Sequence, residues 1–306
     1  MASGLIVILL VSFTIFALAR LIPASPALLV LGADAPAEQI RAFDLQHGLD
    51  QPVAKQYLRW IAAVVTEFDF GVSYVSGRPI TLEIQDTLPV TLELLFVAMA
   101  MCLVVAIPLG VISALNRDGL IDHTLRVFAI AGVSTPGFWI GLLLILWFSV
   151  RLGWFPPGDL VPLSRGIVLH LQSIFLPALS LGIYYTAIIC RMTRASVLEV
   201  LEQDYVRTAV SLGLPKTRIR LSYVLRNALI PIVSVVAMSC GYMFGWAIVI
   251  EQVFNVPGIC RALLAAVFAR DYNLVQATVL VITAAFTAMN LLADLSYRLL
   301  NPKVSW

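Results

Sequence analysis

The chain has 306 residues, of which 60% are hydrophobic and only 12% charged, where a soluble domain carries about 25% charged residues. That balance excludes a water-soluble globular protein and places the chain in a bilayer. The formal net charge of +2 decides little, but its distribution decides more. The basic residues crowd one loop between apolar runs, which argues against nucleic-acid binding.

Six charge-free runs are long enough, or nearly so, to cross a bilayer, which takes about 20 residues. They cover 2–19, 94–115, 127–150, 166–190, 227–250 and 272–293. They predict helices near 4–22, 88–114, 124–150, 172–195, 227–250 and 273–298. The expected fold is therefore an all-α membrane protein with six transmembrane helices. An external region lies between the first and second, and a cytoplasmic loop between the fourth and fifth. The division is 1–22, the first transmembrane helix; 23–87, the external region; and 88–306, the transmembrane domain, with its loop at 199–220.

The first run reads as a span and not a cleaved signal, because Met1-Ala2-Ser3 lacks a positively charged start. The segment 23–89 carries four basic and eight acidic residues. Pro36 and Glu38 mark a helix start, Gly48–Pro52 a turn, and Val53–Val65 has helical apolar spacing. In the third span, Ser134-Thr135-Pro136-Gly137 predicts a kink, since proline removes a helix hydrogen bond. Between Arg191 and Arg226 lie seven Lys/Arg and three acidic residues, and the short 115–126 loop adds Arg117 and Arg126. Arg298 and Lys303 follow at the far end. The positive-inside rule then puts both termini in the cytoplasm.

The basic loop reads as two short helices around Gly213-Leu214-Pro215, with Val200, Leu201, Tyr205, Val206 and Ala209 as one apolar stripe. In span five, Gly241 and Gly245 form a small-xxx-small pair near Ser234, Ser239 and Tyr242. Residues 259–269 are too short to span and predict a re-entrant or interfacial helix. Glu93 and Glu251 are placed at the external interface, and Asp294 four residues before Arg298 allows an ion pair on one helix face. His47, His123 and His170 are scattered, as are Cys102, Cys190, Cys240 and Cys260. They give neither metal-ligand spacing nor a disulfide framework, so no metal site and no bound cofactor are expected. The sequence has no GxxxxGK[ST] phosphate loop.

The run Asp204-Tyr205-Val206-Arg207-Thr208-Ala209, followed by Gly213 and by Leu225-Arg226-Asn227-Ala228-Leu229-Ile230-Pro231, resembles the coupling loop of ABC importer permeases. Arg207-Thr208 stand where the general pattern has Glu-Ala, and this departure resembles the peptide/nickel branch. Further matches to that branch are Gly48–Pro52, Gln56–Trp60, Asp69–Gly71, Ser73-Tyr74, Gly77–Pro79, Ser134–Trp139, and the run from Glu251 to Gly258 with Arg270-Asp271-Tyr272. Cys260 replaces a glycine of that last signature.

The resemblance implies a subunit that forms half of a translocation pathway and takes no catalytic part itself. Its partners would be a second related permease, two ATPase subunits carrying ATP and Mg2+, and an extracytoplasmic substrate-binding protein, all at a bacterial inner membrane. Asp204, Tyr205, Arg207, Thr208, Ala209, Gly213, Leu214 and Pro215 would couple to the ATPase. Ser134, Pro136, Ser234, Gly241, Tyr242 and Gly245 would line the pathway. Asp69, Tyr74, Glu251, Phe254, Pro257, Gly258, Arg270 and Asp271 would form an external gate or docking site. The implied cargo is di- or oligopeptide, with nickel chelates or glutathione as alternatives. Two other classes compete. A secondary transporter or channel predicts mid-span carboxylates or an inverted repeat, and a membrane enzyme predicts a convergent catalytic cluster. The clear mid-span stretches hold no Asp or Glu.

Overall fold

A computed structural model describes residues 2–21, 26–32 and 34–300. Apart from one antiparallel bridge between Val72 and Pro79, the regular structure there is helical. The helices are α1 (Ala2–Leu21), α2 (Pro26–Leu31), α3 (Ala37–His47), α4 (Val53–Glu67), α5 (Ile80–Leu115), α6 (Leu120–Ser134) and α7 (Gly137–Leu144), which continues as wide π turns over Ile145–Arg151. Then come α8 (Ile167–Leu201), α9 (Asp204–Ser211), α10 (Lys216–Arg218) with π turns over Ile219–Leu225, α11 (Arg226–Val253), α12 (Ile259–Phe268) and α13 (Tyr272–Leu300).

Among the described residues, four helices are long and apolar enough to cross a membrane: Ile80–Leu115, Ile167–Leu201, Lys216–Val253 and Tyr272–Leu292. A fifth span results if Leu120–Ser134 and Gly137–Arg151 count as one, and α1 falls among the shorter apolar helices. Length and composition thus give four or five spans where the apolar runs predict six. The helices also outrun the charge-free stretches. α5 starts at Ile80, before Glu83 and Asp86, and α8 continues through Arg191 and Arg194 to Leu201. A charged residue ends contact with lipid but does not end a helix.

The expected kink at Pro136 is a full break. α6 and the segment after it are bent by 102°. Proline clashes with a helical predecessor, and Thr135 is accordingly extended, at φ −98°, ψ 128°. Pro136 then precedes the first turn of α7, where its missing N–H costs nothing.

The chain divides into two compact units, Met1–Thr91 with Pro257–Thr287 and Leu92–Val256 with Ala288–Trp306. In the first, α1 packs on α4. Ser12 and Tyr57 share a hydrogen bond of 2.8 Å, and Arg20 Nε donates to Gln56 Oε1 at 3.0 Å. Gln56 Nε2 donates in turn to the carbonyls of Leu49 and Gln51, fixing the turn at Gly48.

In the second unit α8 is the central helix. Two thirds (67%) of its most apolar window is buried, against 33% for α5 and for the helix over Lys216–Val253. It packs against α6, α7 and α11. α5 approaches it closely at Gly110, where an added Cβ would lie 2.5 Å from Thr193 Cβ and 2.7 Å from the Cys190 carbonyl. The pairing expected between Asp294 and Arg298 falls on side chains outside the described ones.

Candidate functional site

α9 lies flat on a small apolar cluster. Val206 and Ala209 are buried with Ala114, Val197, Ile219, Val224 and Ala228, and Val200, Leu201 and Leu214 pack at its edge. Asp204, Tyr205, Arg207, Thr208 and Val210 face outward. The expected stripe is therefore divided. Val200 and Leu201 belong to the last turn of α8, and Tyr205 points away, its hydroxyl accepting from Asn227 Nδ2 at 3.1 Å.

The end of α9 is a complete Schellman cap. Gly213 is left-handed at φ 71°. Its N–H reaches the Val210 carbonyl at 3.0 Å, and the Leu214 N–H reaches Ala209 O at 3.3 Å. Leu214 supplies the apolar contact that accompanies such caps. Glycine is needed here for its backbone angle and not for close approach, because no atom lies within 4 Å of a Cβ placed there. Pro215 then precedes the next helix. That helix is not a second short one. It runs from Lys216 to Val253 without a stop.

Behind this segment lies a buried ion pair. Asp122, in the first turn of α6, is fully buried. Arg194 of α8 donates to it twice, Nε to Oδ1 and Nη2 to Oδ2, each at 2.7 Å. Ser113 Oγ and the Asp118 N–H donate at 2.5 and 3.0 Å. Sequence placed Arg194 among loop cations. The structure makes it the clamp between α6 and α8.

Two adjacent cavities, of about 210 and 670 Å3, open between α8 and α11, and the 133–137 break lines only the smaller. Both are lined by Tyr184, Tyr185 and Trp246. Ser134 and Pro136 line the smaller, Tyr242 and Gly245 the larger. Ser234 and Gly241 line neither, and Gly241 is buried.

The external candidates divide by burial. Asp69, Pro257 and Arg270 are exposed and Tyr74 is half-buried. Burial pushes the Tyr74 phenol above its ordinary pKa, so it stays a neutral hydroxyl. Glu251, Phe254, Gly258 and Asp271 are buried and offer no docking surface. Glu251 belongs to the last turn of α11, not to a wet interface beyond it, because the helix runs on to Val253. Asp271 is the N-cap of α13: Oδ1 accepts from the Leu274 N–H, and Oδ2 from Ser73 Oγ at 2.5 Å. Cys260 lies in the first turn of α12, a helical position with no need of the glycine it replaces.

Residues 106–306 match the family described as binding-protein-dependent transport system inner membrane component. Residues 1–95 match the N-terminal membrane component of binding-protein-dependent transport systems. The chain belongs to this family. As a permease component it is 37% identical over 305 residues to a protein of Brucella abortus (strain 2308) named as a peptide transport system permease, covering 100% of this chain and 97% of that one. It is also 37% identical over 297 residues to a glutathione transport system permease protein of Escherichia coli (strain K12), covering 97% and 94%.

Solved structures share the permease fold at low identity. A methionine ABC transporter in an inward facing conformation gives a TM-score of 0.59 at 14% identity, over 72% of this chain and 97% of that one. An amino acid ABC transporter gives 0.53 at 16%, over 71% and 94%.

Reading the sequence alone missed four features of this permease: the Asp122–Arg194 clamp, the aromatic lining at Tyr184, Tyr185 and Trp246, the close approach at Gly110, and a His170–Glu93 pair. In that pair Nε2 lies 2.6 Å from Oε1, while Nδ1 faces the Val161 carbonyl at 2.6 Å. Glu93 and His170 are 77 residues apart, so no local spacing announces them. The aromatic lining had a signal, since Tyr184 and Ile188 stand four residues apart on one helix face of the fourth apolar run.

Proposed function

We propose that this chain supplies half of the translocation pathway of an ATP-driven importer of peptides, which a binding protein delivers. The observation that carries the mechanism is the rigid seat of α9. Its inner face is packed, its end is capped at Gly213, and the next helix is continuous into α11. Its outer face carries Tyr205, Arg207, Val210 and Leu212, exposed and set to enter a groove on a cytosolic ATPase. ATP-driven closure of two ATPase subunits, with bound Mg2+, then moves α9 as one body and re-aims α11, a wall of both cavities. Only a differential affinity of the partners for two conformations drives such a change.

A second permease completes the pathway, and both termini lie in the cytoplasm. Peptide cargo is supported by the relatives of Brucella, matched over the whole chain. Glutathione, itself a small peptide, is the second reading, supported by the Escherichia coli relative at the same identity. The test is affinity purification of the complex with its binding protein, and mass spectrometry of the ligand that protein holds. Co-purified ATPase subunits and a bound peptide support the reading. A free amino acid or a metal chelate in the binding protein contradicts it.

A further inference from the structure

Tyr185 is 2% exposed, and its hydroxyl has no hydrogen-bond partner among the described residues. It lines both cavities. Three hydroxyls of the same lining are occupied. Ser180 Oγ donates to the Gly137 carbonyl at 2.9 Å, Ser239 Oγ to Val235 O at 2.8 Å, and Thr135 Oγ1 to Ala131 O at 2.7 Å. A buried polar atom left unpaired is uncommon in folded proteins and marks either a cost or a use. Tyr184 stands edge-on to the Tyr185 ring, with centroids 5.2 Å apart. That contact packs against the ring, and the hydroxyl stays buried and unpaired.

The rest of the lining narrows the ligand. Neither cavity has an Asp, Glu, Lys, Arg or His among its lining residues. Trp246, Tyr184, Tyr242 and Met238 supply apolar and aromatic surface. A volume of about 670 Å3 falls within the usual range of small-ligand sites, about 300–1,000 Å3. A phenol both donates and accepts, and a peptide backbone offers one N–H and one C=O per residue, whatever its side chains.

We infer that Tyr185 is a binding residue for the backbone of the transported peptide, in a cavity that reads no side-chain charge. This rests on the peptide reading above and adds where the peptide is held and by what. Selection by charge then belongs to the binding protein, and the cavity handles acidic, basic and apolar peptides alike.

The test uses the complete importer in liposomes, with its permease pair, ATPases and binding protein. Peptides of two to five residues carrying a diazirine photoleucine are irradiated during turnover. Adducts are expected on residues 184–188 and 238–249. Continued import with adducts only elsewhere overturns the inference and leaves the peptide reading standing. Import of none of these peptides removes both.

The second arm compares Tyr185→Phe with the unchanged importer on a peptide and its ester analogue, one backbone N–H replaced by oxygen. Loss of one neutral hydrogen bond corresponds to about 2- to 12-fold in rate. The unchanged importer is expected to favour the amide by that factor at saturating loaded binding protein, and Tyr185→Phe to treat amide and ester equally. A Tyr185→Phe importer that still discriminates by the same factor overturns the inference. So does an unchanged importer that never discriminates. The photolabelling arm needs no variant, so a misfolded Tyr185→Phe chain does not shelter the idea.

Discussion

Arg194 holds the fully buried carboxylate of Asp122 through two parallel bonds of 2.7 Å each. The pair joins the start of α6 to α8, next to the cluster on which α9 rests. A buried ion pair adds little stability over an apolar equivalent, but losing one partner strands the other, at up to about 3–5 kcal/mol when the stranded group is the fully buried Asp122 and less when it is Arg194, whose side chain is 20% exposed. Arg194→Ala is therefore expected to lower the melting temperature of the purified complex sharply and to deplete the chain from membranes, and Asp122→Ala to lower it less. Arg194→Lys keeps the charge but loses the two-pronged geometry, and belongs between the unchanged chain and Arg194→Ala. Equal melting of the unchanged chain and Asp122→Ala contradicts the clamp.

Gly213 separates folding from coupling. Its angle of φ 71° costs an ordinary L-residue about 1–2 kcal/mol, and Asn or Asp less. The space around it is open, so Gly213→Asn and Gly213→Asp are expected to reach the membrane in normal amounts. Gly213→Asp places a carboxylate on the docking face and is expected to abolish transport and substrate-stimulated ATP hydrolysis. Transport assayed beside membrane abundance checks this. Normal transport at normal abundance by Gly213→Asp removes the docking role of α9.

Two other glycines behave in opposite ways. At Gly110 a Cβ meets Thr193 Cβ at 2.5 Å and Cys190 O at 2.7 Å. Gly110→Leu is expected to force α5 from α8, destabilising by at least about 1–3 kcal/mol, seen as lost abundance. At Gly245 a Cβ meets nothing within 4 Å, and the residue borders the larger cavity. Gly245→Trp is expected to be abundant in membranes and inactive in transport. The reverse pattern, an abundant Gly110→Leu with a depleted Gly245→Trp, contradicts these placements.

Sequence revealed what local chemistry and composition encode. The turn at Gly213-Leu214-Pro215, the helix start after Pro36, the interruption at Pro136 and the short helix at 259–268 all follow from residues whose backbone preferences act within one turn. The ends of α5 and α8 did not show, because hydrophobicity reports lipid contact and these helices continue into water. Nor did the site's long-range partners. Asp122 and Arg194 are 72 residues apart, and each alone looks like an ordinary loop charge. Burial inverted the meaning of Glu251 and Asp271, which read as surface groups although the first is buried in the last turn of α11 and the second is the N-cap of α13.

Topology gives a further check. Leu58 and Val210 are both exposed, at 64% and 60%. In intact cells a membrane-impermeant thiol reagent is expected to label Leu58→Cys from outside and to label Val210→Cys only after permeabilisation. Labelling of position 210 from outside reverses the proposed orientation and removes α9 from any cytosolic ATPase.

The central claim is that ATP hydrolysis on partner subunits, passed through α9, drives peptide import. It is tested most directly by uptake of the binding protein's own peptide into liposomes holding the complete complex with ATP and Mg2+ enclosed. The account predicts uptake that requires ATP, Mg2+ and loaded binding protein together, and that stops with Gly213→Asp. Uptake that persists without ATP and follows an imposed ion gradient contradicts it, and makes the chain a secondary transporter or channel.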